Sequence, residues 1–254
     1  MPKVKLKKVE LYYEVHGSGP TVVFIHGLTG NHLSWWQQIP EFSRSFKCLV
    51  YDQRCFGLSD IVTPENADSF VEDLYELLVH LTERDIRLVC QSWGGTIGMR
   101  FAIKYPNTVK ALVIAASDGG LIDKEKSDKL VGTIPSDPKN PLSSFYSAKL
   151  LRNSPKEAFL FAGISGMNPP RPSDFFQRVR TEPPSKVLLS KLAFPTLFVS
   201  GEDDVRTPPA LMNAAQALVP HSRITHVSGA GHSAFFEQPH VFNHEVTSFL
   251  ERPR

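Results

Sequence analysis

The chain has 254 residues, of which 41% are hydrophobic and 21% are charged, and these values are typical of a globular domain with one large core. Its 28 Lys and Arg against 26 Asp and Glu leave a net charge of +2, which is too small to favour nucleic acid or an anionic membrane as a partner. No apolar run approaches the roughly 18 residues that a transmembrane helix requires, so we expect no membrane span.

Short β-branched runs alternate with amphipathic stretches along the chain. This alternation predicts an α/β fold with a doubly wound, mostly parallel sheet that helices cover on both faces. Helical periodicity is clearest over residues 70–81 and 242–250. The predicted strands are residues 9–15, 21–26, 47–52, 86–90, 111–116, 196–201 and 223–229.

Residues 118–190 interrupt the alternation. They contain no convincing strand and 9 of the 20 prolines, and because proline ends helices, this pattern predicts several short helices. An insertion between parallel strands lies at their carboxyl ends, where such sheets bind ligands. We therefore predict a core domain of residues 1–117 and 191–254 with a helical cap of residues 118–190. A surface excursion with no role at a site is less favoured, because the aromatic residues of the cap need something to cover. We predict that Phe145, Phe159 and Phe161 of the cap, together with Trp93 of the core, bind the substrate.

The stretch "LVCQSWGGTIG", residues 88–98, places Ser92 between a predicted strand and a predicted helix. A serine hydroxyl is a poor nucleophile until a base removes its proton, and a carboxylate best orients that base. A tight turn at Ser92 requires small neighbours, which Gly94, Gly95 and the compact Cys90 provide. Because Ser-x-Gly is common in ordinary turns, Ser92 needs partners elsewhere in the chain.

Two further segments supply candidate partners for Ser92. In "FVSGEDDVRTPP" an acid, Asp204, follows an apolar strand, and in "VSGAGHSAFFEQP" His232 lies in a glycine-rich loop after the last strand. Each residue alone is typical of a turn or an ordinary loop. His240 and His244 are four residues apart but lack the Glu of a zinc-protease helix, so we expect an exposed helix face there and no metal site.

An oxyanion hole needs two backbone N–H groups near the attacking serine. The stretch "VVFIHGLTG", residues 22–30, ends a buried strand, so the loop after it can present the N–H of Leu28, while the turn at Ser92 directs the N–H of Trp93. The stretch does not have the spacing of a phosphate-binding loop. We predict an oxyanion hole formed by Leu28 and Trp93.

Together these segments resemble the α/β-hydrolase superfamily over nearly the whole chain, through "VHGSGPTVVFIHGLTG", "YDQRCFGLSD", "CQSWGGTIGMRFAIKYP", "LFVSGEDDVRTPP" and "GAGHSAFFEQP". The resemblance implies a nucleophile at Ser92, an orienting acid at Asp204 and a base at His232. Asp118 occupies an alternative acid position of the superfamily. Cys90 stands where the first glycine of Gly-x-Ser-x-Gly is expected, and Cys55 replaces another frequent glycine.

The resemblance implies a serine hydrolase that cleaves carboxylic esters or lactones of small molecules without a metal or organic cofactor. Serine at position 92 argues against dehalogenases and epoxide hydrolases, which use aspartate there. Trp93 and the aromatic cap favour an apolar substrate part, and the 11 Lys and Arg against 8 Asp and Glu in the cap leave an acid-bearing substrate open. A carbon–carbon bond hydrolase of ring-cleavage products with the same triad and a ligand-binding receptor on this fold are the alternatives.

The cysteines and the first residues bear on location. Cys48, Cys55 and Cys90 are an odd number without metal or redox spacing, which fits a reducing compartment. The basic residues 1–15 are not followed by an apolar stretch, so we expect no secretory signal and a cytoplasmic protein. The sequence does not distinguish a monomer from a homodimer.

Overall fold

The computed structural model describes residues 2–135 and 137–251, and eight strands of these residues form one sheet. Their order across the sheet is β1-β2-β4-β3-β5-β6-β7-β8, with β2 antiparallel to its two neighbours and the other pairs parallel. The strands are β1 (Lys3–Lys5), β2 (Glu10–His16), β3 (Thr21–Ile25), β4 (Lys47–Tyr51), β5 (Ile86–Gln91), β6 (Val109–Ala115), β7 (Thr196–Gly201) and β8 (Ser222–Val227).

The central strands are buried on both faces, which explains their continuous apolar runs. β3 and β7 have no exposed residue, as expected for parallel strands covered on both sides. The predicted α/β fold with a doubly wound, mostly parallel sheet is confirmed, and the seven predicted strands are present with bounds that differ by at most two residues. β1 was missed, because three residues with one apolar side chain carry no readable alternation.

Helices on the two faces of the sheet bury two apolar clusters, and side chains that alternate along the strands divide between them. Helices α2, α3 and α9 pack on one face, and α1, α10 and α11 pack on the other. The helices are α1 (Ile39–Phe42), α2 (Asp68–His80), α3 (Trp93–Lys104), α4 (Lys124–Val131), α5 (Ala148–Asn153), α6 (Pro155–Gly166), α7 (Phe175–Arg178), α8 (Lys186–Leu189), α9 (Pro209–Gln216), α10 (Ala234–Glu237) and α11 (Pro239–Glu251). None of these helices has the length and apolar character needed to cross a bilayer.

Residues 118–190, the inserted segment, connect β6 to β7 through the short helices α4 to α8. The segment meets the loops that follow the strands of the sheet. Asn31 Nδ2 donates to the Ile164 carbonyl at 2.9 Å, and Ser233 Oγ donates to the Phe145 carbonyl at 2.7 Å. The segment therefore lies against the loops after β3 and β8, at the carboxyl edge of the sheet.

Candidate active site

Ser92 lies in a sharp turn between β5 and α3, with φ 52° and ψ −119°. Residues other than glycine rarely adopt a positive φ, because the side chain then crowds the backbone. The surrounding packing must therefore hold Ser92 in this conformation. A Cβ atom added to Gly94 would collide with the Ile25 carbonyl oxygen, and one added to Gly95 would lie 2.5 Å from Ser117 Cβ. The two glycines thus allow α3 to begin directly against β3 and the end of β6.

Cys90 fills the position of the expected glycine without displacing α3. Its side chain is fully buried, and a Cβ atom added to Gly98, in the second turn of α3, would collide with Cys90 Sγ. Burial raises the pKa of the Cys90 thiol well above its usual range, so the group stays protonated and behaves as a small apolar side chain. The space that a glycine would leave on the strand is instead left by Gly98 on the helix.

The loops after β5, β7 and β8 bring Ser92, Asp204 and His232 together. Ser92 Oγ lies 2.9 Å from His232 Nε2, and His232 Nδ1 lies 3.0 and 3.2 Å from the two carboxylate oxygens of Asp204. The histidine and the acid are buried, at 2% and 3% exposure, while Ser92 is partly exposed. The arrangement links a hydroxyl to a carboxylate through one imidazole ring, which can accept a proton from the hydroxyl.

The carboxylate of Asp204 is saturated with hydrogen bonds. It accepts from Thr207 Oγ1 at 2.5 Å and from the backbone N–H groups of Arg206 and Thr207 at 2.8 and 3.0 Å. Burial alone would raise the pKa of Asp204, but the charge and hydrogen bond of His232 and the Thr207 bonds outweigh it, so the pKa lies below its usual value. Asp204 is therefore ionised, which favours the His232 tautomer that carries its proton on Nδ1.

Asp118, the alternative acid position, occupies a different environment. Its carboxylate accepts from the Gly120 and Ile122 N–H groups at 3.0 and 3.4 Å, and burial raises its pKa. The carboxylate next to His232 is that of Asp204, whereas Asp118 stabilises the first turn of the inserted segment.

The predicted oxyanion residues approach Ser92 from two sides. A Cβ atom added to Gly27 would lie 3.0 Å from Ser92 Cβ, so the loop that carries Leu28 passes directly over the turn. Among the described residues, the backbone N–H groups of Leu28 and Trp93 have no hydrogen-bond acceptor within the protein. Two unused donors beside a serine hydroxyl are suited to bind a developing negative charge.

A cavity of about 350 Å³, the proximal cavity, opens next to these donors. Leu28 and Trp93 line it together with residues of α3 and of the inserted segment, including Thr96, Asp118, Arg180 and Glu182. Part of a small-molecule substrate fits such a volume. Among residues 2–135 and 137–251, no three His, Cys, Asp or Glu side chains come together in a way that could hold a metal ion.

Arg171 of the inserted segment supports the Leu28 loop, and the sequence analysis missed it. Its guanidinium donates to the Leu28 carbonyl and lies 4.6 Å from the centre of the Phe56 ring. Burial lowers the pKa of Arg171. In addition, Asn168 Nδ2 donates to the Gly30 carbonyl at 3.2 Å. These bonds join the segment to the loop that presents the Leu28 N–H.

Glu237 supports the His232 loop in a similar way and was also missed. One of its carboxylate oxygens accepts from the Gly231 N–H at 3.0 Å, and the other accepts from the Ser147 N–H at 2.8 Å. Burial raises the pKa of Glu237, although these hydrogen bonds oppose the shift. One carboxylate thus connects the residue before His232 with the start of α5.

Two of the four predicted substrate-binding side chains lie near the site. Trp93 lines the proximal cavity, and the Phe145 ring centre lies 5.8 Å from that of His232, beneath the Arg206 guanidinium at 4.0 Å.

The side chains of Phe159 and Phe161 do not line the proximal cavity, because the periodicity of α6 directs one outward and the other into the core. Ala158, Phe161 and Ile164 form the buried face of this helix, and Phe161 packs against Tyr146 and Phe236. Phe159 lies one position after Ala158, where the side chain points outward, and it is 82% exposed.

The chain matches the family model described as "alpha/beta hydrolase fold" over residues 20–239. Epoxide hydrolase 3 of Mus musculus is 27% identical over 99% of this chain and 76% of its own length, and the putative non-heme bromoperoxidase BpoC of Mycobacterium tuberculosis is 27% identical over 95% and 98%.

A solved structure has the same architecture. A thermophilic esterase from Thermogutta terrifontis superposes with a TM-score of 0.83 at 24% identity, covering 99% of each chain. At this identity the likeness shows the fold, and the family match spans most of the chain. The chain therefore belongs to the alpha/beta hydrolase fold family.

Proposed function

We propose that the protein is a serine hydrolase that cleaves carboxylic esters or lactones of small molecules through an acyl-enzyme intermediate. The observation that carries the proposal is the line from Ser92 Oγ through His232, at 2.9 Å, to the carboxylate of Asp204 at 3.0 Å. The left-handed turn at Ser92 and the two unused N–H groups beside it add support. Family membership is consistent with hydrolysis.

In this mechanism Ser92 Oγ attacks the substrate carbonyl while His232 Nε2 takes the hydroxyl proton. The carbonyl oxygen becomes an oxyanion that accepts hydrogen bonds from the N–H groups of Leu28 and Trp93. Collapse of this intermediate breaks the ester bond, and His232 returns the proton to the leaving alcohol oxygen. Water then attacks the acyl-enzyme by the same route, releasing the acid and restoring Ser92.

Asp204 has an electrostatic part in these steps. It is buried, ionised and in contact with His232 Nδ1, so it stabilises the imidazolium that forms when the histidine takes the serine proton. The chemistry needs neither a metal nor an organic cofactor. The named activities of the relatives differ from one another, so the choice of ester hydrolysis rests on the side chains of this site.

A carbon–carbon bond hydrolase is the second candidate, and an observation favours it. Arg171 contacts the Leu28 carbonyl, and Arg180 lines the proximal cavity. A cation near the reacting group would bind the acid of a ring-cleavage product. A ligand-binding receptor is less favoured, since binding alone does not require the Ser92, His232 and Asp204 arrangement.

An activity screen tests these candidates. The purified protein is assayed on p-nitrophenyl esters, lactones and ring-cleavage products, with Ser92→Ala as the blank and a fluorophosphonate as the active-serine probe. We expect turnover of esters or lactones and labelling at Ser92. Preferred turnover of ring-cleavage products would move the assignment to carbon–carbon hydrolysis. A folded protein with neither turnover nor labelling would contradict the proposal in favour of a receptor.

A further inference from the structure

A second cavity lies beside the proximal one. This distal cavity, of about 440 Å³, shares Thr96, Gly120 and Thr181 with the proximal cavity. It extends along α3 past Met99 and Ile103. Because a helix rises about 1.5 Å per residue, the path from Trp93 to Ile103 is roughly 15 Å long. The two cavities are therefore adjacent, and together they are called the channel, whose proximal end is lined by Leu28 and Trp93.

The two ends of the channel differ chemically. Met99, Ile103, Pro184 and Leu188 line the distal cavity, and the charged groups at its rim are neutralised in pairs. These pairs are Arg100 with Asp68 at 2.7 Å and Lys104 with Glu72. The distal end thus offers an apolar surface, which favours an apolar chain.

The proximal cavity presents charged groups of both signs. Arg180 and Lys124, which pairs with Asp128, line it along with Asp118 and Glu182, so cationic and acidic side chains are both present. Such a lining does not select for net charge. It offers both donors and acceptors and therefore suits a neutral polar group, such as a hydroxyl, better than a free acid or an amine.

The position of the base indicates which half of the substrate enters the channel. In the proposed mechanism His232 delivers a proton to the leaving alcohol, so the alcohol must lie beside His232 and Phe145, whose rings are 5.8 Å apart. Among the residues that the structure describes, Leu28, Trp93 and the start of α3 line the channel, and no residue of the His232 loop does. The channel therefore receives the acyl half.

We propose that the preferred substrate is an ester or lactone of a medium-chain acyl group that carries a neutral polar substituent, such as a hydroxyl, close to its carbonyl. The substituent binds in the proximal cavity and the apolar tail in the distal cavity. This inference rests on the proposed function, because it uses Ser92 and His232 to orient the substrate.

Binding of the acyl tail in the distal cavity is tested with p-nitrophenyl acetate, butanoate, octanoate and hexadecanoate. We expect kcat/KM to rise at least tenfold from acetate to octanoate and to fall for hexadecanoate, which exceeds the channel. Leu188→Glu puts a charge at the distal cavity on a side chain that is already 43% exposed, so folding is preserved. The matched control is Val187→Glu, at a position 64% exposed that does not line the channel.

Leu188→Glu should lower the ratio of kcat/KM for octanoate to that for acetate about tenfold, and Val187→Glu should leave that ratio unchanged. If kcat/KM does not depend on chain length, the assignment of the distal cavity to the acyl tail is overturned. The assignment is also overturned if Leu188→Glu lowers kcat/KM equally for acetate and octanoate, or if Leu188→Glu and Val187→Glu have equal effects.

The polar substituent is tested by comparing the p-nitrophenyl esters of 3-hydroxyoctanoate and octanoate. We expect at least a fivefold preference for the hydroxylated ester. Arg180→Met should reduce that preference, whereas Arg178→Met should preserve it, because Arg178 pairs with Asp174 and does not line the channel. The proposed polar subsite is overturned if the ratio of kcat/KM for the hydroxylated ester to that for the octanoate ester is 1 or less. It is also overturned if Arg180→Met leaves this ratio unchanged.

Failure of this inference can be distinguished from failure of the proposed function. If acetate is hydrolysed, and Ser92→Ala abolishes its hydrolysis, the serine mechanism stands whatever the chain-length profile. Loss of the chain-length and hydroxyl preferences alone then overturns only the acyl assignment.

Discussion

The sheet core and the inserted segment differ in how firmly their residues are held. β3 and β7 are buried along their whole length, and the residues of the candidate triad lie in the loops after β5, β7 and β8, where they contact one another. In the segment, α4 has no buried residue and α8 has only Leu189. A well-packed region opens less readily than one with few buried contacts.

This difference separates two parts of the proposed activity. Reacting groups need fixed distances, which the strand ends provide, whereas surfaces that contact the variable part of a substrate need only complementary chemistry. Changes at the strand ends should therefore act on kcat for every substrate. Changes in the segment should act on the choice among substrates. The following variants test that separation, beginning with the largest expected effect.

Ser92→Ala should lower kcat on the order of 10⁶-fold, because it removes the attacking oxygen. The hydroxyl is partly exposed and contributes little packing, so the fold should be preserved. Ser127→Ala is the matched control, since Ser127 of α4 lines the proximal cavity but belongs to the segment. Ester turnover and circular dichroism are the measurements. Wild-type turnover in a folded Ser92→Ala variant would contradict the role of Ser92 as the attacking group. An equal loss of kcat in Ser127→Ala would contradict the separation between strand ends and inserted segment.

Asp204→Asn should lower kcat on the order of 10⁴-fold, since an amide no longer stabilises the charged His232 or fixes its tautomer. Asp118→Asn should cost far less, because its carboxylate accepts from N–H groups of its own loop and not from His232. Steady-state kinetics of both variants on one ester show which of the two acids acts with His232. A larger loss at Asp118 would transfer the role of the acid to that residue.

Glu237→Gln should lower kcat by on the order of tenfold, the effect expected when one buried hydrogen-bond acceptor is lost. The side-chain amide would face an N–H group, either that of Gly231 or that of Ser147, and the His232 loop would loosen. KM should change little, because Glu237 acts through His232. Glu202→Gln, on an exposed residue of the preceding loop, is the control. A change confined to KM would show that Glu237 does not position the base.

Gly98→Ala should destabilise the protein by about 1–3 kcal/mol, because the added methyl group collides with Cys90 Sγ. Cys90→Gly should cost about 1 kcal/mol through lost buried atoms and added freedom of the unfolded chain. The double variant should be more stable than the sum of the two losses predicts, since each change makes room for the other. Urea unfolding measures the free energy of unfolding of the two single variants and the double variant. If the two losses of stability add strictly, Cys90 and Gly98 are not coupled.

Cys90→Ala should retain turnover within a few-fold of the wild type, because a protonated, buried thiol takes no part in the proposed chemistry. If Cys90→Ala were as inactive as Ser92→Ala, the assignment of the nucleophile would be wrong.

Phe159→Ser should have the smallest effect, within about twofold in kcat/KM, as expected of an exposed surface position. Phe145→Ala on the same segment should have a several-fold effect, since the Phe145 ring packs beside His232. Both variants are assayed on a short and a long ester, and their changes in kcat/KM are compared. A loss of kcat/KM in Phe159→Ser equal to that in Phe145→Ala would contradict the expectation that the exposed position matters less.

The groups that meet at Ser92 could be predicted from the sequence because each follows a recognisable strand. Ser92 follows β5, Asp204 follows β7 and His232 follows β8. Parallel strands end at one edge of the sheet, so residues at those ends must lie close together. The sequence also indicated the helical nature of residues 118–190, because proline limits helix length.

The contacts of the inserted segment could not be predicted in the same way. Arg171 lies 143 residues from the Leu28 carbonyl that it contacts, and Glu237 lies 90 residues from the Ser147 N–H. Both bond to backbone groups, which every residue carries, so no pairing of residue types reveals them. The outward direction of Phe159 depends on the rotation of α6 about its axis, which a short helix between prolines does not reveal.

The hydrogen bonds between the segment and the core have a consequence for protein engineering. Asn31, Ser233 and Glu237 each use a side-chain group to bond to the backbone of residues 118–190. A chimaera that exchanges the whole segment for that of a relative would leave these groups without partners unless the new backbone followed the same path. Specificity is therefore better altered through single channel-lining positions such as Leu188 than by transplanting the segment.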